Sequence, residues 1–158
     1  MFNVGDKVVY PMHGAGIIEA IENREILGKV KKYYVLRMPI GDMKLMIPVS
    51  TVEDAGLRQV IDTETVQLVL EILRQKRTVS TANWNRRYRA NLEKLKTGDV
   101  FAIAEVVRNL MGRDKEKGLS TCERKMLDTA QQILTSELAL ARDLDEDGAM
   151  NLLTKNME

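Results

Sequence analysis

The spacing of the apolar residues changes near residue 56, and a single regular element cannot carry both spacings. Alternation with period two belongs to strands, and recurrence at three and four belongs to helices. Lys7-Val8-Val9-Tyr10 is a short apolar strand stopped by Pro11. Ala15 to Ile21 follows a turn at His13-Gly14. A third strand is predicted near Arg24-Glu25-Ile26, followed by a turn at Leu27-Gly28-Lys29. Lys32 to Met38 alternates, with Tyr34, Leu36 and Met38 on one face. Pro39-Ile40-Gly41-Asp42 turns the chain again, and Met43, Leu45 and Ile47 alternate with Lys44 and Met46 up to Pro48. Five short strands separated by turn residues predict a small SH3- or Tudor-like barrel.

Beyond Gly56 the spacing is helical. Asp62 is placed to cap a helix carrying Val66, Val69, Leu70 and Leu73. Arg74 to Asn83 has no period and reads as a linker. A helix is expected from about Asn83 to Leu95, stopped by Thr97-Gly98. Asp99 caps the next, which is expected to end near Gly112. Ser120-Thr121-Cys122-Glu123 has the form of a capping box opening a long helix. Asp145 starts a short last one. Strands followed by about five helices predict an α+β chain of two domains, 1–56 and 57–158, dividing within residues 52–61.

Net charge is only +1, although 30% of residues are charged. The charge is segregated. Residues 74 to 96 hold eight cations against Glu93 alone, a local +7. Residues 134 to 158 hold six acids against Arg142 and Lys155, a local −4. A basic middle suggests a polyanion-binding patch, and the acidic tail suggests a shield for it. Cys122 is the lone cysteine, which fits a reducing cytosol. The N-terminus lacks the form of a signal peptide, and no apolar run approaches membrane-spanning length. A soluble, cytoplasmic protein is expected.

Trp84, the only tryptophan, stands beside Arg86, Arg87 and Arg89. At 100° per residue, Tyr88 lies about 40°, Leu92 about 80° and Leu95 about 20° from it around the helix. That phase favours a core tryptophan. Its place in the first turn favours overhang past the packed layer. The three arginines spread over the rest of the circumference, and Glu93 alone cannot pair with them. Arginines gripping phosphates beside an aromatic that stacks or wedges would suit distorted duplex better than base readout. Arg108, Arg113, Lys115, Lys117, Arg124 and Lys125 follow, balanced in number by nearby acids, so most read as surface ion pairs.

Catalytic signals are weak. His13 and Cys122 are far apart, and no zinc-protease, C-x-x-C or phosphate-loop pattern is present. His13 reads as a turn residue and Cys122 as a small semi-buried one. No enzyme activity, cofactor or metal is expected.

Val4-Gly5-Asp6-Lys7-Val8-Val9-Tyr10-Pro11 with His13-Gly14 resembles the opening of CarD-like (CarD/CdnL) bacterial transcription regulators. That module is shared with the transcription-repair coupling factor. Asn83-Trp84, Arg86-Arg87-Tyr88 and Ala90-Asn91-Leu92-Glu93-Lys94-Leu95 resemble the family's helical signature, extended by Val106-Val107-Arg108 and Gly118-Leu119-Ser120. The resemblance implies a Tudor-like domain that docks on the RNA polymerase β subunit. It also implies a helical domain that meets promoter DNA at the upstream edge of the bubble, largely without regard to sequence. Trp84 would wedge the open complex, Arg86, Arg87 and Arg89 would hold phosphates, and Arg113 and Arg124 would be outer contacts. Arg24 matches a polymerase-contacting position, and Lys44, Leu45, Met46 and Ile47 match the edge that pairs with polymerase. Met46 stands where some relatives carry arginine. No membrane or small-molecule substrate is implied. The rival reading is a Tudor- or KOW-like protein or RNA adaptor with Trp84 in the core.

Overall fold

The computed structural model describes residues 2–40, 42–77 and 82–157, the Glu53 side chain aside. Strands β1 (Lys7–Tyr10), β2 (Gly14–Ile26), β3 (Lys29–Met38) and β4 (Met43–Pro48) come first. A 3-10 turn at Val49–Thr51, the short α1 (Val52–Ala55) and β5 (Arg58–Gln59) follow. Then come α2 (Thr63–Arg74), α3 (Trp84–Lys96), α4 (Val100–Glu116), α5 (Thr121–Arg142) and α6 (Glu146–Asn156). The expected α+β class is what the chain forms.

The sheet is antiparallel in the order β4-β3-β2-β1-β5. β4 and β5 do not pair, so the expected barrel is open along that seam. Tyr34, Leu36 and Met38 are buried together with Val8, Ile18 and Ile47, as their alternation predicts. The strand expected at Arg24–Ile26 is instead the second half of β2. The ladder with β3 shifts register between Ile18 and Ala20 but does not end, and it runs on to Ile26 opposite Lys29. Only there do two consecutive positive φ values, Leu27 at 54° and Gly28 at 77°, reverse the chain. The fifth strand is Arg58–Gln59, against β1. Two residues are too few for a period to be read.

Side-chain caps open the five longer helices. Asp62, Asn83, Asp99, Ser120 and Asp145 each accept a backbone N–H from the first turn. Each such cap contributes about 1 kcal/mol. Gly112 does not end α4, which continues to Glu116. A Cβ there would lie 2.6 Å from Cδ of Arg77, so the glycine leaves room for that side chain. Residues 78–81 of the expected linker, and Gly41 of the expected turn, lie outside the described residues. The expected acidic tail is built into the fold. α6 buries Ala149 and Leu153, and Asp143 pairs with Lys7 at 2.9 Å.

α5 joins the sheet to the helices. Gly14 lies at φ 107°, and a Cβ there would meet Ser136 Oγ at 2.8 Å. That close approach lets the Ala15 amide donate to the same hydroxyl at 2.8 Å. Arg58 donates to both oxygens of Glu137 at 2.7 Å, and Nε donates to the Gly98 carbonyl at 2.8 Å. The Ile61 amide adds a bond to Glu137 at 3.0 Å. Glu137 is fully buried. A buried charge persists only when paired and hydrogen-bonded, and this one is.

Candidate nucleic-acid and polymerase interfaces

Trp84 is the first residue of α3 and is 47% exposed. About three turns of stripe lead inward from it: Tyr88 and Leu92 are half-buried against the helical core, and Leu95 is 1% exposed. The helical phase placed Trp84 correctly on the core side. Its first-turn position carries the ring past the end of the layer below. At this exposure Trp84 is not a core residue.

Arg86 and Arg89 are exposed, and neither has an ion-pair partner among the described residues. Asn83 caps α3 through the Arg86 amide at 3.0 Å. No acid stands in the first turn, so the positive end of the helix dipole adds to the arginines. The surface around Trp84 is therefore cationic and free.

Arg87 differs from its neighbours. Its side chain is only 15% exposed and turns towards α5. It donates to the Ala82 carbonyl at 2.9 Å and approaches Glu123 Oε1 at 3.4 Å. Glu123 is 2% exposed. Only half of the expected capping box forms: Ser120 Oγ accepts the Glu123 amide at 3.2 Å. The other half is replaced by a bond from the Ser120 hydroxyl to Glu123 Oε1 at 3.1 Å. The carboxylate is directed at Arg87 rather than at its own cap. Sequence reasoning sought a counter-charge within α3 and found only Glu93. The partner comes from another helix. One available signal was the spacing of Arg87, Asn91 and Lys94, which forms a polar ridge beside the apolar stripe.

That ridge faces α4 across a cleft of about 140 Å³, lined by Arg77, Arg87, Lys94, Arg113 and Glu123 among others. Arg77 is paired with Glu116, whose carboxyl it holds below the usual carboxylate range, chiefly by hydrogen bonding and then by its charge. Arg124 is taken up by Asp114 at 2.7 Å, an ordinary surface pair. Arg113 has no acid partner among the described residues. Of the six expected DNA contacts, Trp84, Arg86 and Arg89 are presented together, Arg113 lines the cleft, Arg124 is paired, and Arg87 is turned inward.

On the sheet, β4 is an edge strand with β3 as its single neighbour. Ile47 is 2% exposed and Leu45 packs on the sheet core, so both are held by their side chains. Met46 is 43% exposed, and Lys44 pairs with Glu19 at 3.1 Å. What these four residues share is an outward main-chain edge. Arg24, on β2, is half-exposed and bonded to Glu22 at 2.9 Å. An exposed pair of this kind is weak enough to exchange partners.

Cys122 is exposed rather than semi-buried. His13 is exposed and stacks on Tyr10 with ring centroids 4.5 Å apart. Among the described residues no cluster of three metal-ligating side chains exists. No helix among them is long and apolar enough to cross a membrane.

The "CarD-like/TRCF RID domain" family model matches residues 2–61, and the "CarD, C-terminal domain" model matches residues 68–154. The chain is 44% identical over 146 residues to "Putative transcription factor YdeB" of Bacillus subtilis (strain 168), covering 92% of this chain and 95% of that protein. The solution structure of the 72-residue N-terminal domain of Myxococcus xanthus CarD is 30% identical. That match covers 37% of this chain and 79% of that one, with a TM-score of 0.33. The chain belongs to the CarD family and has the role of a transcription regulator.

Proposed function

We propose that this regulator bridges the RNA polymerase β subunit and promoter DNA, and stabilises the open complex without any catalytic step. Residues 1–56, with β5 at Arg58–Gln59 completing the sheet, form the polymerase-docking unit, and the helices within residues 57–158 form the DNA-binding unit. The observation that carries the reading is the exposure of Trp84 at the head of α3, beside Arg86 and Arg89, which have no acid partner. About half of the indole surface stays exposed at a cationic helix end, a place that suits a stacking or wedging contact. At the edge of the bubble it would wedge into the minor groove while the arginines hold phosphates without base readout. Arg113 and Arg124 lie further out and add to this grip. Arg87 acts from behind, seating α3 on α5.

Docking on polymerase uses the β4 edge, where Lys44, Leu45, Met46 and Ile47 offer main-chain groups to a strand of the partner. Met46 gives an apolar contact. Arg24 exchanges Glu22 for an acid of the β subunit. Stabilisation requires tighter binding to the open than to the closed complex, and about 1.4 kcal/mol of preference shifts that equilibrium tenfold.

A titration with the isolated β-subunit lobe tests the docking half. Arg24→Glu is expected to weaken binding about tenfold, whereas Trp84→Ala leaves it intact. Unchanged affinity for Arg24→Glu would remove Arg24 from the contact. A polymerase–promoter footprint tests the DNA half: protection at the upstream bubble edge is expected with the natural chain and lost with Trp84→Ala.

A further inference from the structure

We propose that the apex of the β2–β3 hairpin is a second docking point for a protein partner, seated in an apolar socket with an acidic rim. β1 pairs with β2 only as far as Ile17, and β4 pairs with β3 only from Met38 to Tyr33. From Glu22 and Tyr33 outward, β2 and β3 have only each other. The five residues from there to Leu27 form an arm about 17 Å long, at roughly 3.4 Å per residue. A two-stranded ribbon is marginal in water by itself, and a partner would hold this one.

Leu27, at the tip, is 98% exposed and lies at φ 54°. Two-residue turns with positive φ favour Asn or Gly at this place. The leucine is therefore strained in its backbone, and at that exposure it makes no contact that could stabilise the fold. Strain and exposed apolar surface together, with nothing gained inside the molecule, point to a contact outside it. A Cβ on the neighbouring Gly28 would meet no atom within 4 Å, so the tip stands clear. Ile26 and Val30 flank it, 52% and 68% exposed. Ile26 is opposite Lys29 and Val30 is opposite Glu25. Cross-strand partners share a face, so Ile26 and Val30 lie on opposite faces. The apex is apolar on both sides, which suits a socket better than a flat surface.

The charges say what surrounds that socket. Lys29, Lys31 and Lys32 all lie on β3, and none has an ion-pair partner among the described residues. Glu22 and Glu25 lie on β2. An anionic lipid surface would attract one edge of the arm and repel the other. A protein rim can set its acids along β3 alone, and this asymmetry favours a protein. The lysine edge runs on from the end of β4, where Pro48 stands opposite Tyr33. A partner paired along β4 is thereby brought alongside it. The occupant is the polymerase docked on β4, an assignment that rests on the function proposed above and adds to it a contact beyond the end of that strand.

Leu27→Asn removes the apolar tip and puts a residue that tolerates φ 54° in its place. Its urea-unfolding midpoint is expected to equal or exceed that of the natural chain, while its affinity for core RNA polymerase, read by titration, falls about tenfold. A structural role for Leu27 would lower both. The double variant Lys31→Glu/Lys32→Glu is expected to weaken binding at least as much and to flatten its dependence on salt. Equal affinity of the natural chain and Leu27→Asn, or a lower midpoint for Leu27→Asn, would overturn the apex contact and leave docking on β4 standing. Failure of the natural chain to bind polymerase at all would overturn both. Vesicles of phosphatidylglycerol and phosphatidylcholine are expected not to sediment the chain. Sedimentation that Leu27→Asn abolishes would make a lipid surface the occupant and overturn the proposal.

Discussion

Glu137 and Glu123 are both buried carboxylates on α5, and each faces an arginine, but their surroundings differ. Glu137 receives two bonds of 2.7 Å from Arg58 and a third of 3.0 Å from the Ile61 amide. Glu123 receives the Ser120 hydroxyl at 3.1 Å and a long contact of 3.4 Å from Arg87, and its Oε2 has no partner. The first network is closed and joins the sheet to the helices. The second is open, and lies at the end of the molecule where Trp84, Arg86 and Arg89 are exposed. Closed networks of buried charge rigidify a structure, whereas a partly met one contributes less to it. The junction ties the sheet to the helices, and the other end leaves Arg86 and Arg89 without acid partners among the described residues.

The largest test of this contrast is Glu137→Ala. Removing one partner of a buried pair costs about 3–5 kcal/mol, and because the Arg58 side chain is 28% exposed the lower end is expected here. Urea unfolding measures it, and a loss below about 1 kcal/mol would reduce the junction to an exposed ion pair. Glu123→Ala is expected to cost less, about 1–2 kcal/mol, because its contacts are longer and one oxygen is already unmet. Equal losses at the two positions would erase the difference between the networks. Arg89→Ala removes an exposed group and should leave stability within about 0.5 kcal/mol. Its effect should fall on DNA: the slope of log affinity against log salt is expected to lessen by about one. A slope identical to that of the natural chain would take Arg89 out of the phosphate contacts.

Local chemistry was readable in the sequence, and contacts across elements were not. Asp62, Asp99, Ser120 and Asp145 announce their helices because a cap is a bond between near neighbours. Tyr34, Leu36 and Met38 announce a buried face because pleating fixes which residues share it. The run of β2 through Arg24–Ile26 was missed because its continuity is set by pairing with Lys29–Tyr33, not by its own polar residues. Gly112 looked like a terminator because the sequence does not show Arg77 lying against it. Arg87 looked like its neighbours Arg86 and Arg89. Its partner Glu123 lies 36 residues further on, and only the packing of α3 on α5 brings the two together. Trp84 gave two signals at once, a phase that pointed inward and a first-turn position that pointed outward. The position won because the core layer ends before it.

The central claim is that the exposed Trp84 ring slows collapse of the promoter bubble. The lifetime of polymerase–promoter open complexes, measured by dissociation against a competitor with this protein or its Trp84→Ala variant bound, tests it most directly. Loss of about 1.4 kcal/mol of open-state preference would shorten the lifetime about tenfold, with polymerase binding unchanged. A lifetime equal to that given by the natural chain, at full occupancy of polymerase by the variant, would contradict the wedge.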